Sequence, residues 1–238
     1  MIKKKILILG ISGMIGYNFF LFFKNKNNIN CYGTLRSYYK KKKFKNIYRK
    51  SIFVCKDFNS IVIAINKINP HFIINCVGIT KHLDQNINFK EIMKINYHFP
   101  LKLSKFCNAN KIKFIHLSTD CVFSGSGLKN FYNENSKKTA TDNYGISKSK
   151  SENLHKNSII IRTSTVGIEK FSSNGLVNWF LKQKKTCKGY SNAYFTGLPT
   201  VVLADMIYKL LKIKPNFSGL INIAGPRISK YHFLKKMN

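Results

Sequence analysis

Short, largely apolar runs punctuate this 238-residue chain at Ile6 to Leu9, Asn30 to Thr34, Ile52 to Cys55, Phe72 to Asn75, Phe114 to Leu117 and Ser158 to Arg162. They do not alternate apolar with polar residues, so each reads as a strand covered on both faces, which is the condition of a parallel sheet. Helical periodicity fills the intervals at Met14 to Phe23, Asn59 to Lys67, Phe89 to Asn110 and Tyr144 to His155. Strand alternating with helix, joined by right-handed crossovers, predicts an α/β chain with a doubly wound parallel sheet. After Thr163 the rhythm loosens: Glu169 to Thr200 is irregular, Val201 to Leu211 is helical, and Leu220 to Ile223 is a short strand. The expected division is residues 1–165 as the main domain and 166–238 as a small C-terminal lobe built onto it. The chain stops at Lys235 to Asn238, within what reads as a starting helix.

Gly10-Ile11-Ser12-Gly13-Met14-Ile15-Gly16 follows the first strand and opens the first helix. Gly10 would permit the tight turn, Gly13 a close approach of backbone to a pyrophosphate, and Gly16 close packing of helix on strand. The free N–H groups and positive dipole end of the helix would meet the phosphates. A glycine triplet at the first strand–helix junction therefore points to a dinucleotide and to a Rossmann fold. An NAD-selective site would carry an acid about 20 residues on. Here Thr34-Leu35-Arg36-Ser37 stands instead, and Arg36 can pair with a 2′-phosphate, so NADP(H) is the expected cofactor, with NAD(H) as the alternative.

Two further motifs carry chemistry. In Asn143-Tyr144-Gly145-Ile146-Ser147-Lys148, a phenol and an ammonium four residues apart share one helix face. A cation there is expected to favour the phenolate and bring the tyrosine down from its usual value near 10. Leu117-Ser118-Thr119-Asp120-Cys121-Val122-Phe123 ends a buried strand in a polar cluster, which places Thr119 at the mouth of the crevice beyond the strand ends. Each has a plainer reading, the first as chance in a lysine-rich helix and the second as turn capping.

The net charge of +32, from 41 basic and 9 acidic residues, raises nucleic acid or an anionic membrane as partners. The lysines are scattered, however, and the one dense run, Lys40 to Lys45, is read as a solvated loop, because no stacking aromatics alternate with it in a recognisable module. Such a surface would still attract anionic substrates. The six cysteines include no CxxC pair and read as buried thiols of a reducing compartment, and the six histidines show no ligand spacing, so no metal site is expected. Met1 to Lys5 followed by the apolar run Ile6 to Phe23 mimics a signal peptide, but three glycines and Asn18 interrupt the run and no A-x-A-like cleavage site follows. No other stretch approaches the roughly 18 apolar residues of a membrane-spanning helix. The expectation is a cytoplasmic protein with neither nucleic acid nor membrane as partner.

In these motifs the chain resembles the extended short-chain dehydrogenases, and within them the dTDP-4-dehydrorhamnose reductase family of sugar-nucleotide reductases. The resemblance covers nearly the whole chain. It rests on Gly10/Gly13/Gly16, Asp57-Phe58, Asn75-Cys76-Val77-Gly78, Asn96, Ser118 to Gly125, Tyr144 to Lys148, Arg162-Thr163-Ser164, Gly197-Leu198-Pro199-Thr200 and Gly225 to Ser229, with Ser118 to Glu152 the most specific stretch. It implies reduction of the 4-keto group of a deoxysugar carried on a nucleoside diphosphate, in the making of cell-surface polysaccharide. By position, Thr119, Tyr144 and Lys148 would be the catalytic triad, with Tyr144 the proton donor, Thr119 steadying the carbonyl oxygen and Lys148 holding the nicotinamide ribose. Asp57 and Phe58 would flank adenine, and Asn75, Val77 and Gly78 the middle of the dinucleotide. The nucleotide sugar would lie against the lobe near Thr163, Trp179, Gly197 and Pro199, although Trp179 at helical spacing with Leu176 and Phe180 reads equally as core.

Asp120-Cys121 lacks the acidic pair that sugar 4,6-dehydratases carry after the threonine, which disfavours water elimination. Relatives continue for several elements beyond residue 238, so a truncated C-terminus is one expectation, and it would weaken the lobe more than the cofactor site. Two other functions stay open: an epimerase of the same fold with tightly held NAD, against which Arg36 argues, and a non-catalytic binding subunit like the regulatory subunit of methionine adenosyltransferase. A homodimer is left open as well.

Overall fold

The computed structural model describes residues 3–81, 87–125, 131–184 and 186–237. Among these residues the strands are β1 (Lys4–Leu9), β2 (Ile29–Leu35), β3 (Ile52–Val54), β4 (Phe72–Asn75), β5 (Lys113–Leu117), β6 (Ile159–Arg162), β7 (Thr165–Val166), β8 (Tyr194–Phe195), β9 (Leu198–Pro199), β10 (Gly219–Asn222) and β11 (Ile228–Ser229). The helices are α1 (Met14–Lys24), α2 (Tyr38–Lys42), α3 (Asn46–Arg49), α4 (Phe58–Ile68), α5 (Phe89–Met93), α6 (Phe99–Ala109), α7 (Asn143–Lys150), α8 (Leu176–Leu181), α9 (Thr200–Ile213) and α10 (Lys230–Met237).

Seven strands form one sheet in the order β10-β6-β5-β4-β1-β2-β3, every neighbouring pair parallel. The period of two along each strand divides its side chains between two cores. Ile6 and Ile8 of β1, Ile74 of β4 and Ile115 of β5 join Phe19, Phe20 and Phe23 of α1 and Leu203, Ala204 and Ile207 of α9 on one face. Leu7, Leu9, Ile73 and Phe114 meet Ile61 and Ile65 of α4 and Leu103 of α6 on the other. That double burial is why the strands read as unbroken apolar runs. Full burial of each of the three α1 phenylalanines contributes about 1.5–3 kcal/mol, against less than about 1 kcal/mol for an exposed pair such as Lys209–Asp205. So lysine-rich a chain is held by its cores and not by its surface charges.

The structure departs from the sequence expectation at four places. Phe89 to Asn110 is not one helix: α5 and α6 are joined by a π-helical turn, Lys94–His98. Pro100 stands at the start of α6 and would both lack an N–H and clash with the carbonyl of residue 96, so the backbone widens there and turns Asn96 inward. The helix begun at Tyr144 stops at Lys150, where Ser151 and Glu152 turn into the interior. Lys40 to Lys45 is not wholly loop: Ser37 accepts a hydrogen bond from the Lys40 amide and starts α2, and buried Phe44 anchors the segment against Phe20. Finally, α9 and β10, both beyond residue 166, belong to the central layers. The two other strand pairs are β7 with β9 and β8 with β11, each a separate two-stranded sheet.

Candidate functional site

All seven strands point their carboxyl ends to one edge, and the order reverses between β1 and β4, where a crevice opens in a sheet of this kind. Gly10 turns the chain out of β1 at φ +81°, a conformation that favours glycine, and a Cβ there would lie 3.0 Å from Val77 Cγ2 and 3.3 Å from the Cys76 carbonyl. Gly16 sits so close above Gly10 that a Cβ would come within 2.8 Å of the Gly10 carbonyl carbon. Gly13, extended and exposed, is the N-cap of α1, and no side chain caps that end. Ser12, Met14 and Ile15 complete a half-exposed loop with no acid in the first helical turn. Backbone N–H groups are thus left to an external acceptor at the positive end of an 11-residue helix, which fits a pyrophosphate.

Arg36 follows β2 directly and is exposed, and among the described residues it makes no ion pair. Asp57 is engaged as the N-cap of α4. Its carboxylate accepts from the Ser60 amide at 2.8 Å and the Ser60 hydroxyl at 2.7 Å, which holds it below the usual carboxylate range. Phe58 packs edge-on against Phe99 and Phe106, with the Lys102 ammonium 4.2 Å from its ring centre. Asn75 is buried, and its side chain is spent inside the protein: Oδ1 accepts from the Val77 amide at 3.1 Å and Nδ2 lies 3.1 Å from His116 Nδ1. Of the middle-dinucleotide residues, exposed Gly78 and half-buried Val77 present the surface, and Asn75 fixes them from beneath.

Thr119 and Tyr144 meet because of a glycine. Gly145 on α7 lies against the Asp120–Val122 turn so closely that a Cβ would stand 2.6 Å from the Ala140 Cβ. Asp142 caps α7 by accepting from the Gly145 amide at 2.9 Å, and Lys81 pairs with its other oxygen at 3.0 Å. The Thr119 hydroxyl is thereby brought beside the Tyr144 phenol. Asn96, turned inward by the π-helical turn, ties the far side: its amide brackets both backbone groups of Ile79 at 2.8 and 3.0 Å and donates to Ser147 Oγ at 3.0 Å. The Ser147 hydroxyl donates in turn to the Tyr144 carbonyl at 2.8 Å.

The electrostatics differ from the sequence expectation. Burial pushes the Tyr144 phenol above its ordinary value, the neighbouring Thr119 hydroxyl opposes that, and Asp120 and Asp142 reinforce it. Lys148 does not bring it down, because its ammonium is turned beneath the strand end, donating to the Leu117 carbonyl at 2.6 Å beside His116 Nε2 at 3.2 Å. Burial lowers Lys148 to about 8, with the Glu152 carboxylate holding it up in part. Tyr144 is therefore an intact proton donor at neutral pH. Burial also raises Asp120, whose carboxylate accepts from the Thr119 hydroxyl at 3.2 Å.

Below this cluster Glu152 and Arg162 form a buried two-pronged pair, Nε to Oε1 and Nη2 to Oε2 both at 2.8 Å. Glu152 also accepts from the Ser118 hydroxyl at 2.7 Å, so the pair holds the strand end next to Thr119.

Of the residues assigned to substrate, Thr163 is buried and its hydroxyl donates to the Ser164 carbonyl at 3.3 Å. Gly197 is crowded by the Phe195 ring, 2.6 Å from where a Cβ would stand, and exposed Pro199 leads into α9. Trp179 is 39% exposed on α8, where only Val177 is buried, so the reading of it as core does not hold. The lobe does reach the glycine loop: a Cβ on Gly167 would lie 2.8 Å from Thr200 Oγ1 and 3.4 Å from Met14 Cγ. Asn96, His116, Ser147, Ser151 and the Glu152–Arg162 pair were given no role by the sequence. A histidine inside the apolar run Phe114 to Leu117 is the signal that could have been followed, since it must find polar partners when buried.

Among the described residues no group of three or more His, Cys, Asp or Glu is placed to hold a metal, and no helix is long and apolar enough to cross a membrane. The RmlD substrate binding domain model matches residues 4–233. Comparison with curated proteins finds no match. Among solved structures, a hypothetical dTDP-4-dehydrorhamnose reductase from Sulfolobus tokodaii is 25% identical with a TM-score of 0.79, over 98% of this chain and 81% of that one. A dTDP-4-dehydrorhamnose reductase from Clostridium acetobutylicum is 23% identical with a TM-score of 0.78, over 98% and 79%. One from Bacillus anthracis, in complex with NADP, is 21% identical with a TM-score of 0.79, over 100% and 80%. The last two likenesses bear on the fold alone.

Proposed function

The chain belongs to the family of the RmlD substrate binding domain, and from that premise we propose that it is an NADPH-dependent reductase of the 4-keto group of a nucleotide-linked deoxysugar. The observation that carries the reading is the meeting of Thr119 with Tyr144 above Lys148, at the strand edge that also holds the glycine loop. We place the activity in cell-surface polysaccharide synthesis and in the cytoplasm. The second placement is supported by six cysteines that are all free.

Gly10 to Gly16 would hold the pyrophosphate, Arg36 the 2′-phosphate, Val77 and Gly78 the middle of the dinucleotide, and Lys148 the nicotinamide ribose. NADPH bound there supplies the hydride. Tyr144 donates its phenolic proton to the carbonyl oxygen, so its O–H bond breaks as the hydroxyl of the product forms. The Thr119 hydroxyl donates to the same oxygen and stabilises its growing charge. The sugar would lie between Thr119 and the lobe near Thr163, Gly197 and Pro199, with Trp179 at its margin.

The reading is tested by following NADPH absorbance with a panel of 4-keto nucleotide sugars. Oxidation with at least one is expected, and a folded protein that turns over none contradicts the assignment. Cofactor choice has its own test in Arg36→Ala. Loss of a two-pronged phosphate contact is expected to raise KM for NADPH by about 10-fold or more and leave that for NADH unchanged. Equal changes for both cofactors would remove Arg36 from the 2′-phosphate.

A further inference from the structure

His116 is fully buried in β5, and its ring meets three partners: Asn75 Nδ2 at Nδ1 (3.1 Å), and both Ser151 Oγ (3.1 Å) and Lys148 Nζ (3.2 Å) at Nε2. Those partners fix its proton. Asn75 Oδ1 accepts from the Val77 amide, so the group facing Nδ1 is the NH2, and Nδ1 has to accept. Ser151 gives its single hydroxyl proton to the Lys148 carbonyl at 2.7 Å, so toward Nε2 it can only accept. Two independent hydrogen-bond assignments require the same neutral tautomer, with the proton on Nε2. Burial, together with the neighbouring Lys148 charge, keeps the ring neutral by holding His116 well below its ordinary value.

This leaves Lys148 Nζ facing an N–H where a lone pair would have welcomed an ammonium. We propose that His116 is a positioning residue for Lys148, locked by Asn75 and Ser151 in the tautomer that turns a donor onto Nζ and so favours the neutral amine over the ammonium. The other titratable groups bearing on Nζ are the Glu152 carboxylate, which favours the ammonium, and the Cys76 thiol, which burial keeps protonated. The result is a buried amine that gains and loses its proton near physiological pH, under the tyrosine that must regain a proton after each turnover. The catalytic consequence rests on the function proposed above, but the titration of Lys148 does not.

The test is therefore a pH titration of lysine side-chain ¹³C signals in the intact protein, with the Lys148 signal identified by its loss in Lys148→Arg. His116→Phe keeps the ring stack on Phe114 but removes the N–H, and Lys148 is expected to titrate about one pH unit higher. Ser151→Ala removes the competing acceptor, leaves Nε2–H wholly to Nζ, and is expected to move the titration lower. The opposite signs are what a merely structural role would not produce. A His116→Phe titration unchanged or lowered, or a Ser151→Ala titration unchanged or raised, overturns the proposal. Should His116→Phe fail to fold, Ser151→Ala decides alone. A positive titration with no NADPH oxidation would sink the reductase reading and leave this inference standing.

Discussion

Tyr144→Phe is expected to lower turnover of the 4-keto nucleotide sugar by about 10²–10⁴-fold, the usual worth of a positioned proton donor, while NADPH still binds. The change removes one oxygen from a phenol that burial keeps protonated and that the Thr119 hydroxyl meets, so the loss should fall on kcat. NADPH binding is read by the quenching of its fluorescence or by calorimetry, and turnover by absorbance. A variant with wild-type kcat would remove Tyr144 from the chemistry, and a variant that no longer binds NADPH would make its role one of cofactor binding.

Arg162→Met is expected to cost about 3–5 kcal/mol of stability, because it strands a buried carboxylate that two guanidinium hydrogen bonds now satisfy. Ser118 and Lys138, the latter at 3.5 Å, would remain to Glu152, and they do not replace the lost charge-assisted pair. The guanidinium also donates to the carbonyls of Asn133 and Glu134 and lies 5.0 Å from the centre of the Phe123 ring, which stacks on Tyr132. Its loss should therefore loosen the segment after Thr119 as well. The measurement is the urea unfolding midpoint. A shift worth less than about 1 kcal/mol, as for an exposed ion pair, would contradict it. Replacing both partners together, Glu152→Leu with Arg162→Met, should cost less than the single change, since no charge is then left buried alone.

The central sheet was legible because strands buried on both faces carry no polar alternation, and family and fold are both borne out. The glycine loop was legible for a related reason: a positive φ at Gly10 and a carbonyl beneath Gly16 leave no room for other residues. What stayed hidden depends on partners distant in sequence. Pro100 was visible, but whether a helix breaks or widens at a proline is decided by what receives the inward side chain, here Ile79 and Ser147 awaiting Asn96. Helical spacing put Tyr144 and Lys148 on one face without fixing the direction of a flexible lysine side chain. The Leu117 carbonyl and His116, from a strand some 30 residues earlier, draw Nζ away from the phenol. Strand β10 likewise finds its place only when β6 offers an open edge.

The central claim is that hydride from NADPH and a proton from Tyr144 are added across a sugar carbonyl in the crevice above β1, β4 and β5. It is tested most directly by supplying NADPH deuterated at the transferred position with a 4-keto nucleotide sugar and analysing the product by mass spectrometry and NMR. The account predicts deuterium on C4 of the sugar, with one NADPH oxidised for each sugar reduced. Product formed without net NADPH oxidation or without deuterium at C4, as an epimerase holding its own cofactor would give, would contradict it.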